Sequence, residues 1–454
     1  MVQQVIKIRQ GLNIPVNGRP RQTVHPCNPV YRVGLVGPDY VGLRPRLLVE
    51  EGDDVDLGQP LFIDKHHPGV PFCSPGTGVV SAINRGPRRA LYSVVITLDD
   101  DAMSAERFTP VSRSRLPRLD HAEVAERLRD SGLWTAFRTR PFSRVPTPDS
   151  MPRSIFVTAI DTRPLAADPR IILRAEAEAF ADGLSVLPAL TEGPVFLCTA
   201  EDWDIPVPDS DRIRHVAFSG PHPAGLPGTH IHHLDPVGPG RSVWHVGYQD
   251  VIAIGKLFAQ GVLDFSRVVA SGGSCVLEPR LLLTRMGAAI REMADPCVGD
   301  CSECRFISGS QLGGRDAFGT LGFLGRYHDQ VSAVVEGGEK YPFGWTGIFP
   351  WRYSATRTFL RRAGHKRRHA ITTAQNGRFS GMIPTRAFEK VLPLDILPSP
   401  LFRALLVKDT DQAQALGCLE LDEEDVALCS FVCPAKIDYG AALRVNLAQI
   451  EREG

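Results

Sequence analysis

The chain has 454 residues, of which 43% are hydrophobic and 22% are charged, as in most soluble globular proteins. At roughly 150 residues per domain, this length predicts about three domains. Its 51 lysines and arginines balance 51 acidic residues, and this neutrality argues against a nucleic-acid-binding protein. Ten cysteines are too few for a disulfide scaffold. The sequence contains neither an apolar signal core at its start nor an apolar run long enough to span a membrane, so we expect a protein of the reducing cytoplasm.

The first hundred residues are predicted to form a small β barrel or sandwich. Residues 61–63, 79–80 and 91–97 are short apolar runs separated by Gly, Pro and Asp, at the spacing of about 8–12 residues typical of such folds. A helix is predicted next, between two segments rich in Pro, Arg and Ser. Asp120 and Glu123 have the spacing of a capping box and mark its start.

From about residue 154 the pattern becomes that of an α/β unit. Residues 154–160 and 194–198 are apolar runs typical of buried parallel strands, and residues 171–184 between them are predicted to be helical. Residues 250–260 are predicted to form a further helix.

The last two hundred residues divide into a β-rich part and a helical part. Residues 262–350 return to short β-like pieces with glycine turns, whereas residues 400–454 are predicted to be mainly helical. The acidic run 422–425 is placed where an acidic first turn complements a helix dipole.

Three motifs carry a family resemblance. They are LWTAFRTRPF at residues 133–142, FSGPHPAGLPGTHIHHLDPVG at 218–238 and ALCSFVCP at 427–434. Together they resemble the NqrA family, which supplies one subunit of the sodium-translocating NADH:quinone reductases of bacteria. The likeness extends from Lys7 to the C-terminus.

The resemblance implies a multidomain protein of α/β and β class. Its expected parts are a biotinyl-like barrel-sandwich hybrid at residues 1–105, a Rossmann-like α/β domain at 106–260, a small β-grasp (SLBB-like) domain at 261–350 and a mainly helical C-terminal domain at 351–454. This order agrees with the order of β-rich, α/β, β-rich and helical segments predicted from the residues.

The resemblance also implies a function within a larger assembly. The chain is expected to be a peripheral subunit of a six-subunit complex, on the cytoplasmic side of the bacterial inner membrane. That complex couples NADH oxidation and ubiquinone reduction to Na⁺ export, and its FAD, FMN, riboflavin and iron–sulfur centres belong to other subunits. The expected partners are those subunits, especially the integral membrane ones, and ubiquinone. The family is related to the C subunit of the Rnf complex and to the NADH-binding subunit of respiratory complex I.

No cofactor and no catalytic residue are predicted for this chain. The α/β region lacks G-x-G-x-x-G after a strand and also lacks the P-loop pattern. Without closely approaching glycines, a strand-to-helix turn does not easily hold a pyrophosphate. We therefore expect a Rossmann-like domain that binds no dinucleotide. The sequence also has no G-x-S-x-G and no H-E-x-x-H motif.

The motif at residues 218–238 supplies the family-motif loop. Its residues are His222, Pro223, Gly225, Gly228, Thr229, His230 and His232. If this segment were a strand, His230 and His232 would share one face and suit a metal. The prolines and glycines around them favour an ordered loop packed at a subunit boundary, which is our prediction.

A cysteine cluster is the strongest metal candidate in the sequence. Cys297, Cys301 and Cys304 are within eight residues of one another, so three thiolates can reach one metal, and Cys275 is a candidate fourth ligand. This pattern predicts a structural zinc or an iron–sulfur centre, and its alternative is a flexible loop with free thiols. With a centre present, the competing functions are a stand-alone soluble metalloenzyme and an Rnf-like electron-transfer subunit.

Two other motifs resemble cofactor sites without completing them. Cys429 and Cys433 match the end of the ferredoxin pattern C-x2-C-x2-C-x3-C-P, but Glu423 and Val426 replace its first two cysteines. Lys65 is near the position of a biotinyl or lipoyl lysine, although the family carries this barrel as a structural module. We expect neither motif to hold a cofactor.

A basic run interrupts the otherwise neutral chain. It consists of Arg357, Arg361, Arg362, Lys366, Arg367 and Arg368. Such a run is usually a solvated face. In a peripheral membrane subunit it is also a candidate surface for anionic lipid or an acidic partner.

Overall fold

The chain folds into a β barrel-sandwich, an α/β domain, a second β domain and a helical C-terminal domain. The computed structural model describes residues 2–294, 304–337, 353, 355, 368–375, 380–383 and 385–453. In these ranges, none of the helices combines the length and the apolar character needed to cross a membrane.

The N-terminal domain is built from two small antiparallel sheets. The first ten strands are β1 (Gln4–Lys7), β2 (Arg21–Pro26), β3 (Arg32–Val36), β4 (Pro45–Leu47), β5 (Asp54–Val55), β6 (Pro60–Asp64), β7 (Pro71–Cys73), β8 (Gly78–Arg85), β9 (Leu91–Leu98) and β10 (Ser104–Glu106). One sheet has the order β3-β9-β8-β5 and the other β4-β6-β7. In the core, the rings of Phe62 and Phe72 stack with centroids 4.8 Å apart.

Strands β1 and β2 leave the barrel and join other sheets. β1 pairs in parallel with Ile213–Ser219, and β2 pairs in parallel with Arg280–Arg285. The barrel sheets therefore begin at Arg32, within the range 1–105 predicted for this domain. Short edge strands carry no local signal for the sheet they join, because alternation specifies a face and not a partner.

The second domain has the predicted α/β architecture. Its elements are α1 (His121–Asp130), β11 (Arg138–Arg140), β12 (Ile155–Ala159), α2 (Pro169–Ala175), α3 (Ala177–Val186), β13 (Val195–Ala200), β14 (Ile213–Ser219), α4 (Pro227–Leu234), β15 (Val243–Gly247), α5 (Tyr248–Gly255) and the π-helical turn Lys256–Gln260. The predicted cap of α1 is confirmed, since the Asp120 carboxylate accepts a 2.8 Å hydrogen bond from the Glu123 amide.

The order of this sheet contains a topological switch point. The order is β1-β14-β13-β12-β15-β11, parallel except for β11. From β12 the chain winds outward through β13 and β14, and then returns to the other side of β12 as β15. In open α/β sheets, ligands bind outside the carboxyl ends of the strands at such a reversal.

Glycines allow α5 to pack directly against α3. A Cβ atom at Gly255 would lie 1.8 Å from the carbonyl oxygen of Ala179, and one at Gly183 would lie 2.0 Å from that of Val251. The two helix backbones touch at these positions, which fixes α5 behind the carboxyl end of β15.

The third domain is a mixed sheet that extends from the α/β domain. Its elements are β16 (Val262–Asp264), β17 (Ser266–Gly272), β18 (Arg280–Arg285), α6 (Ile290–Met293), β19 (Cys304–Ser308), β20 (Arg315–Asp316) and β21 (Gln330–Val335). The sheet has the order β2-β18-β17-β21-β19-β20, and β16 pairs separately with β10. The segment between β20 and β21 turns toward the carboxyl end of β12.

The C-terminal domain is helical, as predicted, and has its own core. Its helices are α7 (Ala387–Val391), α8 (Pro398–Val407), α9 (Thr410–Ala415), α10 (Glu423–Val432) and α11 (Tyr439–Glu453). Phe388, Phe402 and Tyr439 are its largest buried rings, the last two stacked with centroids 4.1 Å apart. The predicted acidic first turn is confirmed: Asp422 and Asp425 cap α10 reciprocally.

Candidate functional site

A cavity of about 310 Å³ lies outside the carboxyl end of β12 where all four domains meet, with Pro38 and Asp39 of the N-terminal domain in its wall. Asp161 and Arg163 of the loop after β12 line it, His328 and Asp329 enter from the segment before β21, and Glu423 enters from α10. Most of its walls are charged or hydrogen-bonding side chains. We refer to it as the charged cavity.

A buried ion cluster closes the charged cavity on the side of the C-terminal domain. The guanidinium of Arg140, which has no exposed surface, donates to Asp422 Oδ2 at 2.8 Å, and the Ser143 hydroxyl donates to the same oxygen at 2.7 Å. Burial opposes ionisation of Asp422, but Arg140 and Arg444 outweigh it and hold the pKa of this carboxyl well below its usual value. Asp422 is therefore a permanent anion that ties α10 to β11.

A second ion pair continues this cluster across the cavity wall. Arg163 Nη2 donates to Glu424 Oε2 at 2.5 Å, and its Nη1 donates to Asp161 Oδ2 at 3.2 Å. Burial raises the pKa of Asp161 although Arg163 lowers it. The positive charge of Arg163 is thus balanced by two carboxylates of the protein.

His222 presents a neutral imidazole to the charged cavity. The Gly225 amide donates to Thr162 Oγ1 at 2.9 Å, so the Thr162 hydroxyl hydrogen remains for His222 Nδ1, which lies 3.2 Å away. Among the described residues this hydrogen has no other acceptor, so we assign Nδ1 as the acceptor and the ring proton to Nε2. Burial lowers the pKa of His222 to about 3, which keeps the ring neutral.

His328 repeats this arrangement from the third domain. The Gly325 amide donates to Ser308 Oγ at 2.8 Å, and the Ser308 hydroxyl is 2.9 Å from His328 Nδ1. Burial lowers the pKa of His328 to about 4. The Ser308 hydroxyl hydrogen has no other acceptor among the described residues, so we assign the proton of this neutral imidazole to Nε2, as for His222.

Asp329 is the most strongly perturbed carboxyl of the cavity wall. Its Oδ1 accepts a 3.0 Å hydrogen bond from Gln249 at the start of α5. Burial raises its pKa to about 7; Arg267 opposes this shift, whereas Asp250 and Asp161 reinforce it. A carboxyl that titrates near neutral pH inside a cavity is a candidate proton donor.

A larger cavity of about 750 Å³ adjoins the charged one, between the third and C-terminal domains. Its described walls include the apolar side chains of Ile307, Ile371, Phe431 and Ile437. The two cavities share the wall residues Leu312, Gly313, Glu423 and Ala427. The charged cavity therefore borders a larger space that has apolar side chains as well as polar ones.

The family-motif segment forms a helix where we predicted a loop. Residues 227–234 form the helix α4, so the loop prediction is wrong there. Pro227 is compatible with this helix because a proline is tolerated in the first helical turn. On a helix, His230 and His232 lie about 200° apart and cannot share a metal as they would on a strand. The buried His230 donates from Nε2 to Ala224 O at 3.0 Å, so its role is packing.

His232 connects the motif to the C-terminal domain. Its Nε2 accepts a 2.9 Å hydrogen bond from the Asp395 amide, and its Nδ1 lies 2.7 Å from Glu420 Oε2. Gly228 adds a close approach, since a Cβ there would lie 2.3 Å from Asp425 Oδ1. The motif is therefore an interface between two domains of the same chain.

The other motif residues shape the turn before α4. The Thr229 hydroxyl donates to Pro223 O at 2.9 Å. A Cβ at Gly225 would lie 2.7 Å from the Thr162 amide, so this glycine permits the contact that orients His222.

The structure describes only part of the predicted cysteine site. Cys297 and Cys301 lie outside the described residues. Cys304 pairs with Val335 on one side of β21, and the Cys275 amide donates to Ala333 O of the same strand. Cys275 belongs to the turn after β17, which is β21's other neighbour, so two strand spacings, about 10 Å, separate it from Cys304.

Within the described ranges, no group of three His, Cys, Asp or Glu side chains has the geometry to hold a metal. Cys429 and Cys433 are buried in the helical core, where burial raises the pKa of the Cys429 thiol and Cys433 Sγ lies 3.5 Å from the Tyr439 hydroxyl. Lys65 is exposed in the turn after β6.

Of the basic run, the structure describes Arg368. Arg361, Arg362, Lys366 and Arg367 lie outside the described residues, as does Arg357. Arg368 is exposed and lines a third cavity of about 490 Å³ beside the carboxyl ends of β13 and β14.

The sequence did not reveal the residues that matter most in the charged cavity. Asp161 and Arg163 follow a buried strand, and the switch-point rule would have selected them had the strand order been known. His328 and Asp329 have no local signal, because their segment reads as an ordinary loop between short strands.

Comparison with known proteins agrees with this architecture. Three family models match: the NqrA N-terminal barrel-sandwich hybrid domain at residues 6–99, the NqrA second alpha/beta domain at 119–263 and the NQRA C-terminal domain at 268–318.

Relatives match over nearly the whole chain. Those from Cellvibrio japonicus, Pseudomonas aeruginosa and Neisseria gonorrhoeae are 50%, 51% and 49% identical, with 99% of this chain and 100% of each relative covered. Each is named as the A subunit of a Na(+)-translocating NADH-quinone reductase. The chain therefore belongs to the NqrA family, the A subunits of the Na(+)-translocating NADH-quinone reductases.

Proposed function

We propose that this chain is a peripheral subunit of a sodium-translocating NADH:ubiquinone reductase on the cytoplasmic side of the bacterial inner membrane. It docks on the integral membrane subunits and contributes to the region where quinone is reduced. The observation that carries this proposal is the end-to-end similarity to relatives named as the A subunit of that enzyme.

The two adjoining cavities support a part in quinone reduction. Ubiquinone has a polar ring and an apolar isoprenoid tail. The walls of the charged cavity suit the ring, and the apolar side chains of the larger cavity suit a tail. Both volumes are within the range of about 300–1,000 Å³ usual for small-molecule sites.

Docking is tested by affinity purification of the tagged chain from native membranes. We expect the integral membrane subunits of the complex to co-purify in equal amounts. Recovery of the chain alone, with those subunits left in the membrane fraction, would contradict docking.

The quinone contribution is tested in the assembled complex with Ala427→Phe, which fills the wall shared by both cavities. We expect reduction of a short-chain ubiquinone to fall about tenfold or more, as loss of binding space predicts. NADH oxidation by an artificial acceptor reports assembly and should be retained. The control is Ala448→Phe on α11, a position that lines neither cavity. Unchanged ubiquinone reduction in Ala427→Phe would show that this chain does not shape the quinone site.

A further inference from the structure

We propose that His222 and His328 bind the two carbonyl oxygens of a quinone ring in the charged cavity, and that Asp329 protonates one of these oxygens during reduction. This inference rests on the proposed function and deepens it, since it assigns roles to individual side chains.

The imidazoles of His222 and His328 each have an N–H group that can donate a hydrogen bond to a ligand. Both rings line the charged cavity, and both have Nδ1 occupied by a hydroxyl group. In the part of the chain that the structure describes, no protein acceptor takes the hydrogen of either Nε2, and neither atom is completely buried. The two donors are thus available to a ligand with two acceptor oxygens.

The second step concerns the charge of that ligand. Both imidazoles are neutral, and the four arginines that line the cavity, Arg138, Arg163, Arg315 and Arg444, each lie within 4.0 Å of a carboxylate of the protein. An anion such as phosphate would face these carboxylates without a free cation to balance it. A neutral ligand with carbonyl oxygens avoids this cost, and a quinone ring has two such oxygens on opposite sides.

The third step is the proton balance. Reduction of a quinone to a quinol consumes two electrons, which this enzyme family takes from NADH, and two protons. In our proposal the O–H bond of the Asp329 carboxyl breaks as an O–H bond forms on one quinone oxygen. The second proton comes from water, and the Asp329 carboxylate is then protonated again from water.

Asp329 is placed for this role by its surroundings. Its Oδ1 is held by Gln249, which leaves the other oxygen for the cavity that the residue lines. The charged groups that face it are Arg267, Asp250, Asp161 and Arg163, and together with burial they bring its pKa to about 7. An acid with a pKa near the working pH is the most effective proton donor.

The binding role is tested with His222→Asn and His328→Asn in the assembled complex. An asparagine keeps an acceptor near the position of Nδ1 for the hydroxyl group but has no atom at Nε2. Loss of one hydrogen bond should raise KM for a short-chain ubiquinone about five- to tenfold. His222→Gln and His328→Gln restore a donor near Nε2 and should return KM to within about twofold of the wild type.

The matched control is His233→Asn. His233 lies on the same motif but is exposed; its Nδ1 donates to Thr229 O and it does not line the charged cavity. It should leave KM unchanged. Equal KM values for wild type and both cavity asparagine variants would overturn the binding role, provided that artificial-acceptor activity confirms assembly.

The proton role is tested with Asp329→Asn and a pH profile. A proton donor must be protonated, so kcat of the wild type should be high below pH 7 and fall as the pH rises through about 7. Asp329→Asn should lower kcat about tenfold or more at pH 6, remove this fall and leave KM within about twofold. Asp329→Glu should recover part of kcat. A profile of unchanged shape in Asp329→Asn would overturn the role.

The variants distinguish failure of this inference from failure of the proposed function. If Ala427→Phe leaves ubiquinone reduction intact, the chain has no part in the quinone site and both proposals are wrong. If Ala427→Phe blocks reduction but the His222 and His328 variants keep the wild-type KM, only the assignment of these residues is wrong.

Discussion

Arg140 and Asp422 are 282 residues apart in the sequence, yet Arg140 Nη1 and Asp422 Oδ2 lie 2.8 Å apart, and neither side chain is more than 6% exposed. Arg140 is on β11 of the α/β domain, and Asp422 caps α10 of the C-terminal domain. This pair holds two domains together at the wall of the charged cavity.

The first prediction concerns the stability of that junction. Arg140→Met should lower the free energy of unfolding by about 3–5 kcal/mol, because it leaves the buried Asp422 charge without its main partner. The control is Arg174→Met, which removes an ion pair with Asp204 whose side chains are about half exposed. We expect it to cost less than about 1 kcal/mol. Denaturant unfolding measures both, and equal small losses would show that the buried pair contributes little.

The second prediction is a pH dependence at Asp425. Burial raises its pKa to about 7; Arg140 opposes this shift, whereas Glu424 and Asp422 reinforce it. An unfolded aspartate titrates near pH 3.9. Between about pH 4 and pH 7 the folded state therefore binds more protons, and the free energy of unfolding falls as the pH rises through this window.

Asp425→Asn should abolish this fall in the free energy of unfolding with rising pH. The variant should match the wild type near pH 4 and be more stable by about 4 kcal/mol at pH 8. Asp204→Asn is a control of opposite sign, because Arg174 lowers the pKa of Asp204. The wild type should therefore be more stable than this variant above about pH 4 and should lose that advantage as the pH falls below about 4. Parallel stability curves for wild type and Asp425→Asn would contradict the prediction.

The sequence predicted local architecture better than the site. The strand at residues 154–160 and the capped helix after Asp120 were predictable, because burial and capping leave local patterns. The helix α4 was not predicted, because the prolines and glycines of its motif are more typical of a loop. The charged cavity combines Asp161, Asp329 and Glu423 from three domains, and a sequence read locally contains no information about such distant contacts.

The third prediction concerns nucleotide cofactors. The loop after β12 has Asp161 and Arg163 where a dinucleotide fold has glycines, and the Asp168 carboxylate accepts from the Arg170 amide at the start of α2. An acidic side chain thus occupies the helix N-terminus that would otherwise attract a pyrophosphate. Purified protein should have no stoichiometric flavin in its visible spectrum and no NADH binding at micromolar concentration. A one-to-one flavin would refute this.

The fourth prediction concerns the cysteine cluster and distinguishes a structural metal from an Rnf-like iron–sulfur centre and from free thiols. We expect Cys297, Cys301 and Cys304 to hold one structural metal, since three thiolates within eight residues can surround an ion bonded at roughly 2.3 Å. The fourth ligand is then Cys275, a histidine or water. Protein purified without chelator should contain about one equivalent of zinc, without acid-labile sulfide.

Cys304→Ser should lose most of the metal and some stability, because a ligand bound only by the folded state stabilises it. Cys27→Ser, at a cysteine of similar exposure, should keep both. Less than about a tenth of an equivalent of zinc or iron in the wild type, with all three thiols freely alkylated, would show that these cysteines bind no metal.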